Sequence, residues 1–440
     1  GLGDVYKRQM TQAAPDLVHW LLKLGVKFNM SGYDDVDLRN FGGQKKKRTA
    51  FAQSDTGKQI MTAMIDAVRR KEAFGMVERF SHHSFLTLRL CGNICCGCVI
   101  RDEYSQETVE LPGDAVIVAT GGMHGLFGNT TGSLSNTGEV TAELFRLGVP
   151  LANGEMIQYH PTTVKCGGKR MLISEAARGE GGRLFAMKDG KQWYFMEEKY
   201  PELGNLMPRD ITAREIWKVS HESEVFLDMT EISEEIISNK LSGLADDCMT
   251  YLHKDIRKEP VSVLPGIHYF MGGILVDEQH RTPIQNLYAA GECCAQYHGA
   301  NRLGGNSLLG ALYGGRVAAK SACEQADVVD LSCATQIDFP PASQISEIKQ
   351  LNKVMQETMG VVRNENTLLN GIQTVQALTG NLPLLGMAVL KSALARKESR
   401  GAHWREDYPK SNDNDYLKTT VARFDGKQIQ ISFVPVPERR

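Results

Sequence analysis

Apolar residues recur along the chain with two different periods, and the change from one to the other predicts the order of its elements. Positions 16–27 carry apolar side chains three and four residues apart, which is the spacing of one helix face, whereas 76–109 alternates as strands do. In chain order the predicted elements are a helix over 16–27, a helix over 56–70 with Asp55 as its N-cap, strands within 76–109, a buried strand over 115–120, a helix from 137 to 147, strands near 152–163, 266–277 and 285–292, and mostly helices from about residue 340 onward.

Glycines mark the ends of the predicted strands. The strand over 115–120 stops at Gly121 and Gly122, and such a pair lets the backbone approach a nucleotide closely at a strand end of a doubly wound sheet. A tight strand-to-helix turn explains the same pair equally well. The stretch 161–265 carries several charged helices and few long strands, which indicates an inserted α+β module.

Composition excludes some classes of function. The chain has 440 residues, with 50 Lys or Arg against 52 Asp or Glu, and this balance excludes binding of nucleic acid by a bulk positive field. The longest uncharged apolar runs fall short of the roughly 18–20 residues that a membrane span needs, so membrane association requires a partner. Ten cysteines without the density of a secreted disulfide scaffold indicate a reducing compartment. Residues 1–9 show no periodicity, and we expect them to be a non-native segment outside the fold.

The stretch over 288–315 combines an apolar strand, a glycine-rich loop and a helix that opens near Asn306 and Ser307. Such a loop offers backbone amides and a helix N-terminus to an electron-rich ligand, and Glu292 at the strand end is placed to accept hydrogen bonds from ligand hydroxyls. The loop also carries Arg302, whose forked guanidinium suits a carboxylate. An arginine between glycines is more often exposed and idle, unless other cations converge on it.

Three further basic side chains, His160, His268 and Arg209, lie close to proline or glycine. Each by itself is more often a core histidine or a helix-capping arginine. Glu175 and Arg178 are three residues apart, so they share a face on a helical turn and can pair. Two arginines, two histidines and such a pair suit a small dianion whose transition state gains negative charge.

Four cysteines crowd into LCGNICCGCV, at positions 91, 95, 96 and 98. A metal or iron–sulfur site is one interpretation. Adjacent cysteines on a short strand point in opposite directions, and no second CxxC pair lies at zinc-finger distance. The pattern therefore favours ordinary strand residues.

An ordered series of motifs allows a more specific assignment of the chain. The series is ATGG at 119–122, EMIQYHPT at 155–162, SEAARGEGG at 174–182, PRD at 208–210, HYFMGG at 268–273, AAGE at 289–292, HGANRLGGNSL at 298–308 and ALARKESRGAHWREDYP at 393–409. From about residue 16 onward, the chain with these motifs resembles the flavoprotein subunits of the succinate dehydrogenase/fumarate reductase family.

The resemblance implies an α/β fold in which a doubly wound FAD-binding domain, incomplete at its N-terminus, carries an inserted α+β capping domain and is followed by a helical domain. The boundaries it implies are 10–160 and 266–330 for the two parts of the FAD-binding domain, 161–265 for the capping domain, 331–403 for the helical domain and 404–440 for a C-terminal segment.

The resemblance also implies a fumarate/succinate site between the FAD-binding and capping domains. Arg302 and His268 match the family positions that bind one carboxylate of the substrate. His160 and Ser174 match the positions at the other carboxylate, and Ser174 stands where the family usually has threonine, which keeps the hydroxyl.

Proton transfer is implied for three further residues. Arg209 matches the residue proposed to protonate the substrate carbon as hydride moves from flavin N5, and Glu175 and Arg178 match its proton relay. Because a guanidinium rarely gives up its proton, this role requires prompt reprotonation of Arg209 through Glu175.

The cofactor that the resemblance implies is FAD. The matching positions are Ala119, Thr120, Gly121, Gly122 and Glu292, with Asn306, Ser307 and Leu308 beneath the isoalloxazine. The family opens with a GxGxxG unit for the ADP half of FAD and a histidine that links covalently to the flavin, and the sequence contains neither. We therefore expect a truncated product that holds FAD weakly. The segment TGEV at 137–140 replaces the usual TGDG, which affects the expected conformation of that loop.

Three functions remain open at this point. The leading one is the flavoprotein subunit of a fumarate reductase or succinate dehydrogenase, which works with an iron–sulfur subunit and, through it, a quinone-linked membrane anchor at the inner face of the cell membrane. An L-aspartate oxidase shares several of the motifs, and a non-catalytic fragment is the third. The segment FGGQKKKRTAFAQSDTG at 41–57 and the AHWREDYP ending at 402–409 resemble the respiratory subunits and favour the first.

Overall fold

The computed structural model of the chain describes residues 5–33, 35–42, 44, 46–53, 55–133, 135–295, 297–328, 337–340 and 344–436. The α-helices are α1 (Val5–Gln12), α2 (Ala14–Lys23), α3 (Thr56–Ala73), α4 (Glu139–Arg146), α5 (Glu175–Gly179), α6 (Phe195–Lys199), α7 (Arg209–Val219), α8 (Glu234–Lys240), α9 (Ser242–Leu252), α10 (Asn306–Gln325), α11 (Ile345–Thr358), α12 (Glu365–Val375), α13 (Asn381–Ala395) and α14 (Asp413–Tyr416). Short 3₁₀ helices span His124–Leu126, Gly204–Leu206 and Gly291–Cys293.

The strands form six small sheets within the described part of the chain. They are β1 (Leu38–Arg39), β2 (Thr49–Ala50), β3 (His83–Cys91), β4 (Ile94–Asp102), β5 (Thr108–Pro112), β6 (Val116–Val118), β7 (Leu151–Ala152), β8 (Ile157–Cys166), β9 (Lys169–Leu172), β10 (Arg183–Lys188), β11 (Lys191–Trp193), β12 (Val225–Asp228), β13 (Val261–Ser262), β14 (Leu264–Phe270), β15 (Gly273–Ile274), β16 (Leu287–Ala289), β17 (Lys418–Phe424) and β18 (Ile429–Pro435).

Strands β6 and β16 pair in parallel, with Val118 opposite Ala289. The pairing continues one residue further, because Ala290 N–H donates to the Val118 carbonyl at 2.9 Å. Parallel strands end at the same edge of a sheet. The segments 119–122 and 290–292 therefore lie next to each other, although 171 residues separate the two strands' last positions in the sequence.

A second sheet has the order β14-β8-β9 and is antiparallel throughout. The chain between β9 and β14 folds into a separate four-stranded sheet of order β11-β10-β12-β13, with α6 to α9 packed around it. Leu184, Ile216 and Leu227 form part of the core of this inserted unit and are fully buried. Both ends of the insertion thus return to the sheet that holds β8.

Helices α11, α12 and α13 pack on α4 around a core that includes Leu351, Met355 and Leu385. A buried ion pair joins this helical part to the segment before β8. Arg396 donates from Nε to Oε1 of Glu155 at 2.7 Å and from Nη1 to Oε1 of Glu398 at 2.8 Å, and none of the three side chains is exposed. Arg396 of the 393–409 motif therefore links the end of α13 to the segment before β8.

The predicted elements differ from the structure at the end of α2 and at the C-terminal end of the chain. Helix α2 ends at Lys23 rather than at residue 27, because Gly25 adopts φ +97° and Val26 N–H turns back to the Leu21 carbonyl at 3.0 Å. The expectation of helices from 340 onward is wrong at the end, where β17 and β18 form a hairpin that pairs with β7. Alternating burial along β18, a continuous buried run in β17 and a turn at Gly426, with φ +90°, explain this hairpin.

Residues 5–9, part of the segment that we expect to be non-native, are packed into the fold. They form most of α1, and the Tyr313 hydroxyl donates to Oε1 of Gln9 at 3.0 Å. Met10, which follows, is fully buried.

Candidate active site

The sheet of β8 and β14 brings His160 and His268 together. Gly266 pairs with His160, and the register then shifts between Ile267 and Tyr269, so His268 is an extra residue on β14 at a β-bulge. A bulge turns a side chain away from the regular alternation of a strand. The two imidazole rings meet edge to face, with centroids 5.1 Å apart.

Both histidines are held neutral. Burial, and then the positive charges of Arg209 and Arg178, lower the pKa of His160 well below its ordinary value. Burial lowers the pKa of His268 in the same way, followed by the effects of His160, Arg209 and Arg302. These side chains therefore act on one another electrostatically within one buried cluster, and the two histidines contribute no charge near neutral pH.

The ring of His160 is fixed on one side and free on the other. Thr162 N–H donates to Nδ1 at 3.2 Å, while Nε2 is buried and has no hydrogen-bond partner among the described residues. A buried polar nitrogen without a partner is costly unless a ligand satisfies it. His160 is thus oriented to present Nε2 to a bound molecule.

Helices α5 and α7 begin at the same cluster. Ser174 is the N-cap of α5, and its hydroxyl accepts from Ala176 N–H at 3.2 Å. Pro208 occupies the N-cap position of α7 and directs Arg209, the first residue of that helix, toward α5. The two short caps explain why motifs far apart in the sequence meet here.

Glu175 is the acidic centre between two arginines. Its Oε2 accepts from Nε and Nη2 of Arg209 at 3.0 and 2.7 Å, and its Oε1 accepts from Nη2 of Arg178 at 3.1 Å. Although burial acts to raise the pKa of Glu175 and is the largest single effect, the charges of Arg209 and Arg178 together lower it. The sequence-based pairing of Glu175 with Arg178 is confirmed by the structure.

Two glycines allow these contacts. A Cβ on Gly42 would lie 2.5 Å from Oε1 of Glu175, and a Cβ on Gly304 would lie 2.6 Å from its Oε2. Gly42 belongs to the FGGQ segment and Gly304 to the HGANRLGG loop. The two glycine-rich loops therefore enclose the Glu175 carboxylate closely because they lack side chains there.

Arg302 is nearly fully buried, and its guanidinium carbon lies 4.3 Å from the centroid of the Tyr269 ring. Its Nε is buried without a hydrogen-bond partner among the described residues. Burial and then the charge of Arg209 lower the pKa of Arg302 to about 9, so it is charged at neutral pH. A buried cation with no described carboxylate bonded to it is suited to binding an anion.

Gln158 connects the two arginines of the cluster, and sequence reasoning assigned it no role. Its Oε1 accepts from Nη1 of Arg209 at 3.1 Å, and its Nε2 donates to the Arg302 carbonyl and to Oδ1 of Asn301, both at 2.8 Å. Asn301 in turn donates to Oδ1 of Asp210 at 2.8 Å. The quoted EMIQYHPT motif contained Gln158 two residues before His160, a spacing that places both on one face of β8.

The predicted cofactor positions lie at the ends of β6 and β16. Ala119 and Thr120 are exposed after β6, and Gly121 adopts φ +73°. A Cβ on Gly122 would meet both Oε1 of Glu292 and the Phe270 ring at 2.7 Å. This open edge without side-chain bulk fits a flat ring system that lies against backbone.

The remaining predicted cofactor positions lie at the start of helix α10. Gly305 precedes the helix in a left-handed conformation, with φ +83°, and Asn306, Ser307 and Leu308 form its first turn, all partly exposed. The N-terminus of a 20-residue helix favours electron-rich groups. The donor set at this edge therefore fits the isoalloxazine end of FAD.

Glu292 is hydrogen-bonded within the protein through one of its oxygens, and its role toward ligand hydroxyls stays a prediction. Its Oε1 accepts from Phe270 N–H at 3.0 Å and lies 3.7 Å from Nε2 of His124. Burial raises the pKa of Glu292 to about 7 and lowers that of His124 to about 4. A half-protonated carboxyl thus lies at the end of β16.

The charges of the cluster can be added. Arg178, Arg209 and Arg302 are positive and Glu175 is negative, which leaves two positive charges, with His160 and His268 neutral. Two positive charges and two neutral N–H donors are complementary to a small molecule with two carboxylates. Ser174 lies at the N-cap beside Glu175, and its role toward a carboxylate stays a prediction.

Within the part of the chain that the structure describes, no cluster of three or more His, Cys, Asp or Glu side chains is arranged to hold a metal ion. Over the same residues, no helix is both long and apolar enough to cross a bilayer. The cysteines at 95 and 96 lie buried on β4, where Sγ of Cys95 contacts the Gly97 carbonyl and Sγ of Cys96 the Arg89 carbonyl.

Comparison with known proteins gives a consistent result. The FAD binding domain model matches residues 4–308, and the model of the fumarate reductase flavoprotein C-terminus matches 378–439. The succinate dehydrogenase flavoprotein subunit of Bacillus subtilis is 35% identical over 98% of this chain and 84% of its own length. The 8-methylmenaquinol:fumarate reductase flavoprotein subunit of Wolinella succinogenes is 31% identical over 98% of this chain and 79% of its own. Among solved structures, the FrdA chain of a mutated E. coli quinol fumarate reductase superimposes with a TM-score of 0.87 at 26% identity, covering 98% of this chain and 83% of that one.

Proposed function

The chain belongs to the family of succinate dehydrogenase and fumarate reductase flavoprotein subunits, and we propose that it interconverts fumarate and succinate as an FAD-dependent oxidoreductase. The observation that supports this most is the buried cluster with two net positive charges, in which Nε of Arg302 and Nε2 of His160 lack hydrogen-bond partners among the described residues. A planar dicarboxylate satisfies the charge and the two unpaired groups together.

FAD, when bound, supplies the acceptance and donation of hydride at its N5 atom. The residues that we propose to hold its ring system are the strand-end and helix-start positions: Ala119, Thr120, Gly121, Gly122, Glu292, Asn306, Ser307 and Leu308. They hold the ring mainly through backbone, since four of these eight positions are glycine or small residues that leave the approach open.

Substrate binding divides between the two strands of the sheet. We assign one carboxylate to Arg302 and His268, and the other to His160 and Ser174. Arg302 contributes charge, and the two neutral imidazoles contribute directional N–H donors, so the substrate is oriented without an excess of positive charge. Arg302 and His160 are buried and His268 and Ser174 are partly buried, and this shielding from water strengthens each contact.

We assign the transfer of the proton to the substrate carbon to Arg209. Reduction of fumarate adds a hydride to one alkene carbon and a proton to the other. Arg209 gives up that proton and recovers one through Glu175, whose Oε2 it already contacts at 2.7 Å. Arg178 completes the relay on Oε1 of the same carboxylate. Oxidation of succinate follows the same path in reverse, with Arg209 accepting the proton.

The partner and the location follow from the same proposal. The relatives are named as subunits of succinate dehydrogenases and fumarate reductases. We propose that this chain exchanges electrons with an iron–sulfur subunit and, through it, with a membrane anchor, at the inner face of the cell membrane.

The proposal is tested by loading the protein with FAD and measuring oxidation of a reduced viologen with fumarate as acceptor. We expect turnover with fumarate and none with L-aspartate as the electron donor. Activity with aspartate but not with fumarate would instead identify an L-aspartate oxidase. Protein that neither retains flavin nor reacts with fumarate would overturn the proposal.

A further inference from the structure

The hydroxyl of Thr131 lies 2.7 Å from Nδ1 of His268. Among the described residues, this is the one hydrogen bond that the His268 ring makes. Thr131 belongs to none of the motifs that identify the family in the sequence. We propose that Thr131 is a positioning residue that fixes the tautomer of His268, so that the proton is held on Nε2 for the substrate carboxylate. This inference rests on the proposed function of the site.

The tautomer matters because the ring is neutral. Burial and the neighbouring charges of Arg209 and Arg302 keep the pKa of His268 low, so the ring carries a single N–H. A neutral imidazole with its proton on Nδ1 presents a lone pair at Nε2, which repels a carboxylate. With the proton on Nε2, the same ring is a donor to that carboxylate. The two tautomers therefore have opposite effects on substrate binding.

The hydrogen-bonding requirement of the Thr131 hydroxyl selects between the two tautomers of His268. If His268 donated from Nδ1, the Thr131 hydroxyl proton would have no acceptor among the described residues. Thr131 is partly buried, and a donor shielded from water without an acceptor carries a desolvation penalty, whereas an unused lone pair on the hydroxyl costs less. When Thr131 donates to Nδ1, both groups are satisfied and the imidazole proton moves to Nε2.

The backbone holds Thr131 in place for this contact. Thr131 N–H donates to the carbonyl of Ile267 at 3.0 Å, in the residue that precedes His268. The hydroxyl and the imidazole thus belong to segments that are bonded directly to each other, and a valine of nearly the same shape can replace Thr131 without moving the backbone.

His160 shows the same arrangement with a different donor. Thr162 N–H donates to its Nδ1 at 3.2 Å, and a backbone N–H can act only as a donor. The Thr162 carbonyl, which also lies 3.1 Å from that nitrogen, already accepts from Ile173 N–H at 3.1 Å. With Nδ1 as the acceptor, both histidines present Nε2–H to the site; at His268 the partner of Nδ1 at 2.7 Å is a side-chain hydroxyl, which a substitution can remove.

The test compares Thr131→Val, which removes the hydroxyl, with Thr131→Ser, which keeps it. Thr282→Val is the control, because Thr282, which is more deeply buried than Thr131, donates its hydroxyl to a backbone carbonyl, that of Ile284 at 3.1 Å, outside the site. Fumarate dissociation constants are measured on FAD-loaded protein without an electron donor. ¹⁵N spectra of protein labelled at histidine, with His268→Gln to assign the signals, report which ring nitrogen carries the proton.

We expect Thr131→Val to weaken fumarate binding by roughly 5- to 50-fold, which corresponds to the loss of one oriented hydrogen bond to a charged group. Thr131→Ser and Thr282→Val should bind like the native protein. Native His268 should carry its proton on Nε2, and Thr131→Val should shift the ring toward the other tautomer.

Two results would overturn the proposal: a native His268 protonated on Nδ1, or a folded Thr131→Val protein with native fumarate affinity. If Thr131→Val does not fold, the tautomer in the native protein decides the question. His268→Ala distinguishes failure of this inference from failure of the proposed function. If the proposed function is wrong, His268→Ala leaves fumarate binding unchanged as well.

Discussion

Oε2 of Glu175 accepts two hydrogen bonds from Arg209, from Nε at 3.0 Å and from Nη2 at 2.7 Å. The other oxygen, Oε1, accepts a hydrogen bond from Nη2 of Arg178, so both carboxylate oxygens are hydrogen-bonded to arginine. The arrangement keeps a guanidinium in one orientation, with Nη1 held by Gln158 at 3.1 Å. Such a fixed donor suits a step in which one proton must reach one carbon.

Replacement of Arg209 by lysine should lower turnover far more than fumarate affinity. A lysine ammonium keeps the charge but lacks the planar fork through which Arg209 bonds Glu175 twice and Gln158 once. We expect kcat to fall by roughly 10²- to 10⁴-fold, the usual contribution of an acid in the transition state, with only a small change in the fumarate dissociation constant. Steady-state kinetics together with equilibrium binding measure the two effects separately. A loss confined to binding would count against the acid role.

Replacement of Arg302 by methionine should stabilise the protein and abolish tight fumarate binding. Arg302 is 2% exposed and has an unpaired Nε, so its charge is a cost in the substrate-free protein. We expect a gain on the order of 1–3 kcal/mol in the free energy of unfolding, since methionine fills similar volume without a charge. Urea unfolding without dicarboxylate, and fumarate binding on the folded variant, measure the two effects. A variant that is less stable and still binds fumarate would refute the assignment.

An alanine at Gly304 should impair the relay, whereas an alanine at Gly315 should not. The added Cβ at Gly304 would lie 2.6 Å from Oε2 of Glu175 and 2.6 Å from Cβ of Phe41. At Gly315, inside α10, nothing lies within 4 Å of the added atom, and the helix should gain about 0.5–1 kcal/mol. Fumarate turnover and thermal unfolding of both variants test this. Equal activity of the two would show that the loops move aside without cost.

Glu292 should make stability fall as pH rises from about 4.5 to about 7. Its pKa is raised to about 7 in the folded protein from 4.5, so over this range the folded state binds the proton that the unfolded state has lost. Stability therefore decreases with pH, by roughly 3 kcal/mol across the window, and becomes independent of this group above it.

The measurement compares the native protein with Glu292→Gln at equal flavin loading. Urea unfolding at pH 5, 6, 7 and 8 should show that the variant gains stability relative to the native protein as pH rises to 7, with no further gain at pH 8. Parallel pH profiles for the two proteins would contradict the elevated pKa.

Much of the site could be found from sequence because its residues stand in short segments with strict local demands. A proline before Arg209, an N-cap before Glu175 and glycines around Arg302 are local features, and each locates a charged residue at an element end. Gln158 and Thr131 could not be found in this way. Their roles come from partners at 209 and 268, and no local pattern announces such a contact.

The ends of helices and strands likewise depend partly on local sequence and partly on distant contacts. The helical period over 16–27 continues past Lys23, and only the left-handed turn at Gly25 stops the helix. The C-terminal hairpin has a strand period in its own sequence, but its pairing with β7 depends on a partner more than 250 residues away.

The α/β class and the family follow from the sequence alone through the ordered motifs and the family that they resemble. The positions of the charged groups at element ends follow from capping and glycine spacing, which are local properties of the chain. Only the folded chain decides what those groups become. Burial removes the charge of His160 and His268, moves the pKa of Glu292 to about 7 and leaves Arg302 without a described carboxylate partner. These are effects of neighbours brought from distant parts of the sequence into a medium with little water, where the energy of a charge depends on everything that surrounds it.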